Sequence, residues 1–216
     1  MACLRSEKIE SGITMILTER QLEKITSHEP IVQTDQGLLI ASVAIILRDG
    51  PQGTEFLLMQ RAKHDKDPWS GQMAFPGGKF EPNDITKKAT AIRETAEEVG
   101  IHLNEQDYLG QLDDLYGVKE NNKYNVIVSC YVFKTDRILT PKGNYEVADL
   151  VWLPMSYLQN SKNCYEYYHP KIKNKRMPAV LINQQKEQVL WGLSLRMLTM
   201  MYQVIDTPMS VPHNIS

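Results

Sequence analysis

Hydrophobic positions fall into runs whose period and punctuation mark a mixed α/β order. Residues 38–47 (LLIASVAIIL) form a β-rich stretch too apolar for a strand with one wet face. Asp49-Gly50-Pro51-Gln52-Gly53 is turn chemistry, and Glu55 to Arg61 reads as the returning strand of a hairpin. Upstream, Leu17, Leu22 and Ile25 around Thr18-Glu19-Arg20-Gln21 have the look of a capped helix ending near His28-Glu29-Pro30. Residues 62–83, rich in Lys, Asp, Pro and Gly, read as loop. Residues 84–99 read as a helix with Asp84 as N-cap and Gly100 as its stop. Residues 124–133 and 147–153 read as strands, the second followed by Pro154 and a helix from Ser156. Residues 171–183 are expected to hold a strand pair, and residues 190–205 a helix with a broad apolar face. No repeat or linker divides the chain. The expectation is one α/β domain over residues 37–207, preceded by an extension at 1–36 and followed by a tail at 208–216.

Composition narrows the function. With 216 residues, 42% of them apolar, the chain can bury a core without staples, and disorder is excluded. Lys+Arg 24 against Asp+Glu 26 leaves no basic footprint, so no nucleic-acid partner is expected. A nucleotide ligand stays open, because a bound cation can supply the positive charge. Cys3, Cys130 and Cys164 form no CxxC pair, so neither a disulfide framework nor a zinc site is expected, and reduced thiols in the cytoplasm are. The N-terminal apolar run, residues 13–17, is too short for a signal core, and no stretch approaches the roughly 20 apolar residues of a membrane span.

Chemistry concentrates on residues 89–101, ATAIRETAEEVGI. At about 100° per residue, Ala89, Ile92, Ala96 and Val99 make one apolar stripe, while Glu94, Glu97 and Glu98 share a sector on the other side. Like charges at these spacings destabilise a helix by about 0.2–0.5 kcal/mol per pair, and acids near its C-terminus oppose the macrodipole. A solvated acidic face is the bland reading. Against it, Arg93 is the only base among the acids, and the glycine loop Pro76-Gly77-Gly78-Lys79 lies just upstream. Carboxylates so arrayed are hard ligands for Mg²⁺, and Arg93 can lock one of them by a bidentate pair.

Gly78, Asp84 and Arg93-Glu94-Thr95-Ala96-Glu97-Glu98-Val99-Gly100-Ile101 together resemble the box of the Nudix hydrolase family. That box reads Gly, five residues, Glu, seven residues, then Arg-Glu-apolar-x-Glu-Glu-x-Gly-apolar. This chain departs in having Asp84 for the first Glu, eight residues before Arg93, and Thr95 at the apolar position. The resemblance implies an α/β/α sandwich around a mixed sheet. It implies that Glu94, Glu97 and Glu98 bind Mg²⁺ or Mn²⁺ with a carbonyl of Gly78, that Arg93 orients the acids, and that Asp84 is structural. The implied reaction is hydrolysis of a pyrophosphate by a water that the metal or a carboxylate activates. The general base is left among Glu97, Glu98 and Glu146.

The preceding segment resembles the coenzyme A pyrophosphatase branch, whose signature has a Leu-Leu pair, two arginines, a Gly and then Phe-Pro-Gly-Gly. Leu57, Leu58, Arg61, Gly71 and Phe75-Pro76-Gly77-Gly78 keep it; Met59, Ala62, Lys66 and Met73 depart, with one extra residue before Gly71. Trp191-Gly192-Leu193-Ser194 is also similar to that branch. Arg61, Lys79 and Phe75 are the expected substrate contacts, with Lys63 and Lys66 as further cations near the glycine loop. Trp69 reads as a base-stacking or a packing residue. The expected partner is a small nucleotide-type substrate, with a homodimer left open. ADP-ribose or nucleoside-diphosphate-sugar hydrolysis, and a catalytically silent binding module, are the alternatives.

Overall fold

The computed structural model describes residues 14–34, 37–64, 69–119, 123–168 and 176–211. The hairpin forms as expected. Strand β1 (Leu39–Gly50) turns at Gly50 and Gly53 into β2 (Gly53–Arg61), with Leu47 opposite Phe56. The two strands then splay apart, and residues 72–80 wedge between them. β3 (Met73–Ala74) pairs with β2, and β4 (Gly77–Lys79) pairs antiparallel with β1. The wedge is pinned at both ends: the Arg61 amide donates to the Gln72 carbonyl at 3.0 Å, and the Ala44 amide to the Pro76 carbonyl at 2.9 Å. The expected loop at 62–83 thus contains two short strands. Their signal is weak in sequence because their pairing is supplied entirely by β1 and β2.

On the other edge of β1 lies β7 (Lys123–Lys134), parallel to it, with β5 (Tyr108–Gln111) and β6 (Leu115–Lys119) antiparallel to β7. β8 (Val147–Pro154) closes the far side of β2. The sheet is mixed and covered on both faces. Ala44, Ile46, Leu57, Met59, Tyr131 and Phe133 share a core with helix α2 (Lys87–Val99). The alternate positions Ile45, Leu47, Phe56, Leu58, Val128 and Cys130 share the opposite core with α3 (Gly192–Val204) and residues of α1 (Glu19–Thr26). Alternation between two dry faces explains why the strand sequences are apolar throughout. The result is the expected α/β/α sandwich.

A second, three-stranded antiparallel sheet runs β11 (Gln188–Trp191), β10 (Arg176–Asn183), β9 (Cys164–Tyr168). Part of the expected strand pair at 171–183 lies outside the described residues. The helix expected from Ser156 is two 3-10 turns, Met155–Gln159 and Ser161–Asn163, broken at Asn160 where its side chain caps the second. Cys130 and Cys164 are free thiols, and Cys3 lies outside the described residues. Among the described residues no helix is long and apolar enough to cross a membrane.

Met15, Leu17, Leu22 and Ile25 join the core on the α3 side. Thr18 caps α1 in a capping box with Gln21, Ile25 is 0% exposed, and a Cβ at Gly110 would overlap the Ile25 carbonyl. The Thr54 amide donates to the Met15 carbonyl at 2.6 Å. The start of the tail packs likewise, with the Ser210 amide donating to the Leu158 carbonyl at 3.0 Å. Ile25→Ala is therefore expected to cost about 3 kcal/mol, within the usual range for a buried Ile→Ala change. Urea unfolding measures it, and a cost below about 1 kcal/mol would place α1 outside the cooperative core.

Candidate active site

Helix α2 is capped by Thr86, whose hydroxyl accepts from the Ala89 amide at 3.1 Å, and ends at Gly100 in the left-handed conformation (φ 67°). Asp84 is not the N-cap. It lies two residues earlier because Arg93 holds its carboxylate in a fork, Nε to Oδ1 and Nη2 to Oδ2, both at 2.9 Å. The Glu81 amide and the Thr90 hydroxyl also donate to Asp84 Oδ2, each at 2.9 Å. The Arg93 hydrogen bonds hold the Asp84 carboxyl well below the usual carboxylate range.

The face that the helix turns to the sheet shares Ile92 and Val99 with the expected stripe but is rotated away from Ala89 and Ala96. Thr90, Ala91, Thr95, Glu98 and Val99 are buried, whereas Ala89 and Ala96 are only half-buried. Thr95 can lie at this interface because its hydroxyl donates to the Ala91 carbonyl at 2.7 Å. Glu98, 3% exposed, accepts from the Gly77 amide through Oε2 at 2.8 Å. Burial pushes its carboxyl up to about 7, against the pull of that hydrogen bond, and the charge of Glu94 adds to the rise. Burial also raises Glu94, against the pull of Arg93.

The remaining nitrogen of Arg93, Nη1, donates to Glu94 Oε1 at 2.9 Å and to Glu97 Oε2 at 3.3 Å. One guanidinium therefore spans three carboxylates, and the bidentate partner is Asp84 rather than a glutamate of the helix. Close approach fixes Gly77 by backbone and Gly78 by the Glu94 carboxylate that a side chain there would displace. A Cβ at Gly77 would overlap the Ser42 carbonyl, and one at Gly78 would overlap the Glu94 carboxylate.

Around these groups is a cleft of about 480 Å³, lined among others by Arg61, Lys79, Glu94, Glu97, Glu98 and Glu146. Arg61 ends β2 opposite Val147, and the Ala62 amide donates to the Glu146 carbonyl at 2.7 Å, so strand pairing brings the two together. Sequence reasoning left Glu146 as one option for the base, and the fold places it on the cleft wall opposite α2. Phe75 is a correction. It is 2% exposed and packs against Phe56 with ring centroids 6.2 Å apart, so it anchors the wedge in the core and does not line the cleft. Lys63 is paired with Glu187 at 2.9 Å, on the turn between β10 and β11. Lys66 lies outside the described residues. Trp69 is exposed and outside the cleft lining.

Among the described residues no three His, Cys, Asp or Glu side chains close on one point as a ligand group. Glu94 and Glu97 lean on Arg93 while Glu98 leans on Gly77. The donor set nonetheless fits a divalent cation. It consists of hard oxygens, two of them on carboxyls whose ionised forms burial disfavours, beside a glycine backbone approached so closely that a Cβ has no place.

Residues 38–171 match the family model of the NUDIX domain. A probable nudix hydrolase of Schizosaccharomyces pombe is 32% identical over 188 residues, covering 85% of this chain but only 62% of the relative's length. An uncharacterized Nudix hydrolase, NudL, of Yersinia enterocolitica is 30% identical over 167 residues, covering 77% of this chain and 81% of the relative. A MutT/nudix family protein of Enterococcus faecalis superposes with a TM-score of 0.55 at 16% identity, over 81% of this chain and 64% of that one, a likeness of fold. The chain belongs to the Nudix hydrolase family, whose members act on pyrophosphate bonds.

If Arg93 depends on Asp84, then Asp84→Asn should destabilise the protein by about 2–3 kcal/mol at neutral pH, the scale of a lost charged hydrogen-bonded pair. Because folding lowers the Asp84 pKa, its contribution is present above the unfolded value of 3.8 and is lost as pH falls through the folded one. Denaturant titrations should show the gap to wild type constant above about pH 5 and closing toward lower pH. A gap independent of pH would contradict the pairing.

Proposed function

We propose that the protein is a divalent-cation-dependent pyrophosphohydrolase that cleaves a nucleoside diphosphate linked to another group, with coenzyme A or its derivatives as substrate. The observation that carries the reading is the cleft lined by Glu94, Glu97 and Glu98 of one helix together with Arg61, Glu146, Gly77 and Gly78. Glu94, Glu97, Glu98 and the Gly78 carbonyl would hold Mg²⁺ or Mn²⁺. An ion held there would supply positive charge to offset that developing on the diphosphate and would acidify a water. Arg93 contributes by fixing Glu94 and Glu97 against each other. Arg61 and Lys79 supply positive charge to the diphosphate from the cleft wall. Glu146, exposed at that wall, would take a proton from the attacking water, while buried Glu98 accepts from the Gly77 amide.

Coenzyme A is favoured by the segment ahead of the helix. Phe75 and Gly77 of that segment serve the wedge, so the selective part of the pattern reduces to Leu57, Leu58, Arg61 and Gly71 and the loop between them. Substrates are separated by incubating the protein and Mg²⁺ with coenzyme A, ADP-ribose and UDP-glucose and resolving the products. Fastest cleavage of coenzyme A is the expected result, and preference for either of the others would transfer the substrate to that class.

Glu98→Gln keeps an acceptor for the Gly77 amide and removes the charge. Turnover is expected to fall by two or more orders of magnitude with the melting temperature unchanged or raised, since a buried carboxylate has been neutralised. Near-normal turnover would exclude Glu98 from the reaction. EDTA should abolish activity and added Mg²⁺ restore it.

A further inference from the structure

The cleft has two walls from distant parts of the chain, and one side chain joins them. Asn144 lies in the turn before β8. Its Nδ2 donates to the Glu97 carbonyl at 3.0 Å, and its backbone amide donates to the Glu98 carbonyl at 2.9 Å. Its Oδ1 accepts from the Glu146 amide at 2.8 Å, and its own carbonyl accepts from the Val147 amide at 3.2 Å. Nearby, the Lys142 amide donates to the Val99 carbonyl at 2.9 Å. The last carbonyls of a helix have no partner within it. Here the 142–146 turn supplies that partner to Glu97, Glu98 and Val99, the same turn of helix that carries two of the acids. The backbone bonds would survive in almost any sequence. The two side-chain bonds are specific to an amide, since one end must donate to a carbonyl while the other accepts from an N–H.

From this geometry we infer that Asn144 is a positioning residue. It ties the start of β8 to the C-terminal turn of α2 and so sets the place of Glu146 relative to Glu94 and Glu98. Without the clamp, Glu146 would sit on a turn held to α2 by backbone alone, and an exposed glutamate so held samples positions away from the attacking water. The inference rests on the pyrophosphohydrolase reading for its kinetic consequence but not for its structural one.

The test uses the full chain with Asn144→Ala, Glu146→Gln and the double variant. On the panel substrate cleaved fastest, Asn144→Ala is expected to lower kcat about tenfold or more with KM within twofold. In the Glu146→Gln background the same change is expected to have no further effect on kcat. Equal losses in both backgrounds would show that Asn144 supports the fold at large, and would overturn the inference. Amide hydrogen exchange gives a readout independent of turnover. The Asn144 backbone amide, which donates to the Glu98 carbonyl, should exchange at least tenfold faster in both Asn144→Ala and Asn144→Asp, because both lack the donor to the Glu97 carbonyl. Unchanged exchange of that amide in both variants would refute the clamp. Should no panel substrate be cleaved, the functional reading falls while the exchange result still decides the clamp.

Discussion

Crowding of negative charge on one helix is the constraint around which this molecule is arranged. Glu94, Glu97 and Glu98 occupy adjoining positions near the end of α2, where the helix dipole is also unfavourable to them. Two devices answer them. Arg93 spans Glu94 and Glu97, Gly77 offers an amide to Glu98, and Asp84 steadies Arg93 from the far side. The compensation is incomplete, for burial still leaves the Glu98 carboxyl near 7. On the proposed reading a divalent cation would supply the positive charge that these devices leave wanting.

The fold serves this arrangement by opening a hairpin. β1 and β2 begin as an ordinary antiparallel pair and then separate, and the wedge of residues 72–80 restores hydrogen bonds to both. The wedge delivers the Gly77-Gly78 backbone to the underside of α2. Phe75 secures it from the core side, overlap with the Ser42 backbone leaves no room for a side chain at Gly77, and one at Gly78 would displace the Glu94 carboxylate. On the far side of β2, β8 brings Glu146 alongside Arg61. A site drawn from four elements thus rests on one sheet rather than on free loops, which is the condition for holding charged groups in register.

Much of this was legible in the chain, and the part that was not has physical reasons. Doubly buried strands announced themselves by unbroken apolar runs, and Gly100 marked the end of α2. The acid sector could be read because helical spacing alone places Glu94, Glu97 and Glu98 together. Phe75 was misplaced because an aromatic within a glycine-rich motif looks the same whether it faces a ligand or the core. Asp84 reads as a cap in the sequence because an acid shortly before a helix usually is one, and its fork with Arg93 depends on a loop path that no local pattern encodes. Asn144 gave no signal, since an asparagine beside a glycine is ordinary turn chemistry. Its partners are helix carbonyls some 47 residues away in sequence.

The most direct test is binding of Mn²⁺ to the substrate-free protein, followed by the loss of the free-ion electron paramagnetic resonance signal on titration. The account predicts saturable binding by the wild-type chain that weakens at least tenfold in both Glu94→Gln and Glu98→Gln. Undiminished binding in both variants would place the cation elsewhere and contradict the account.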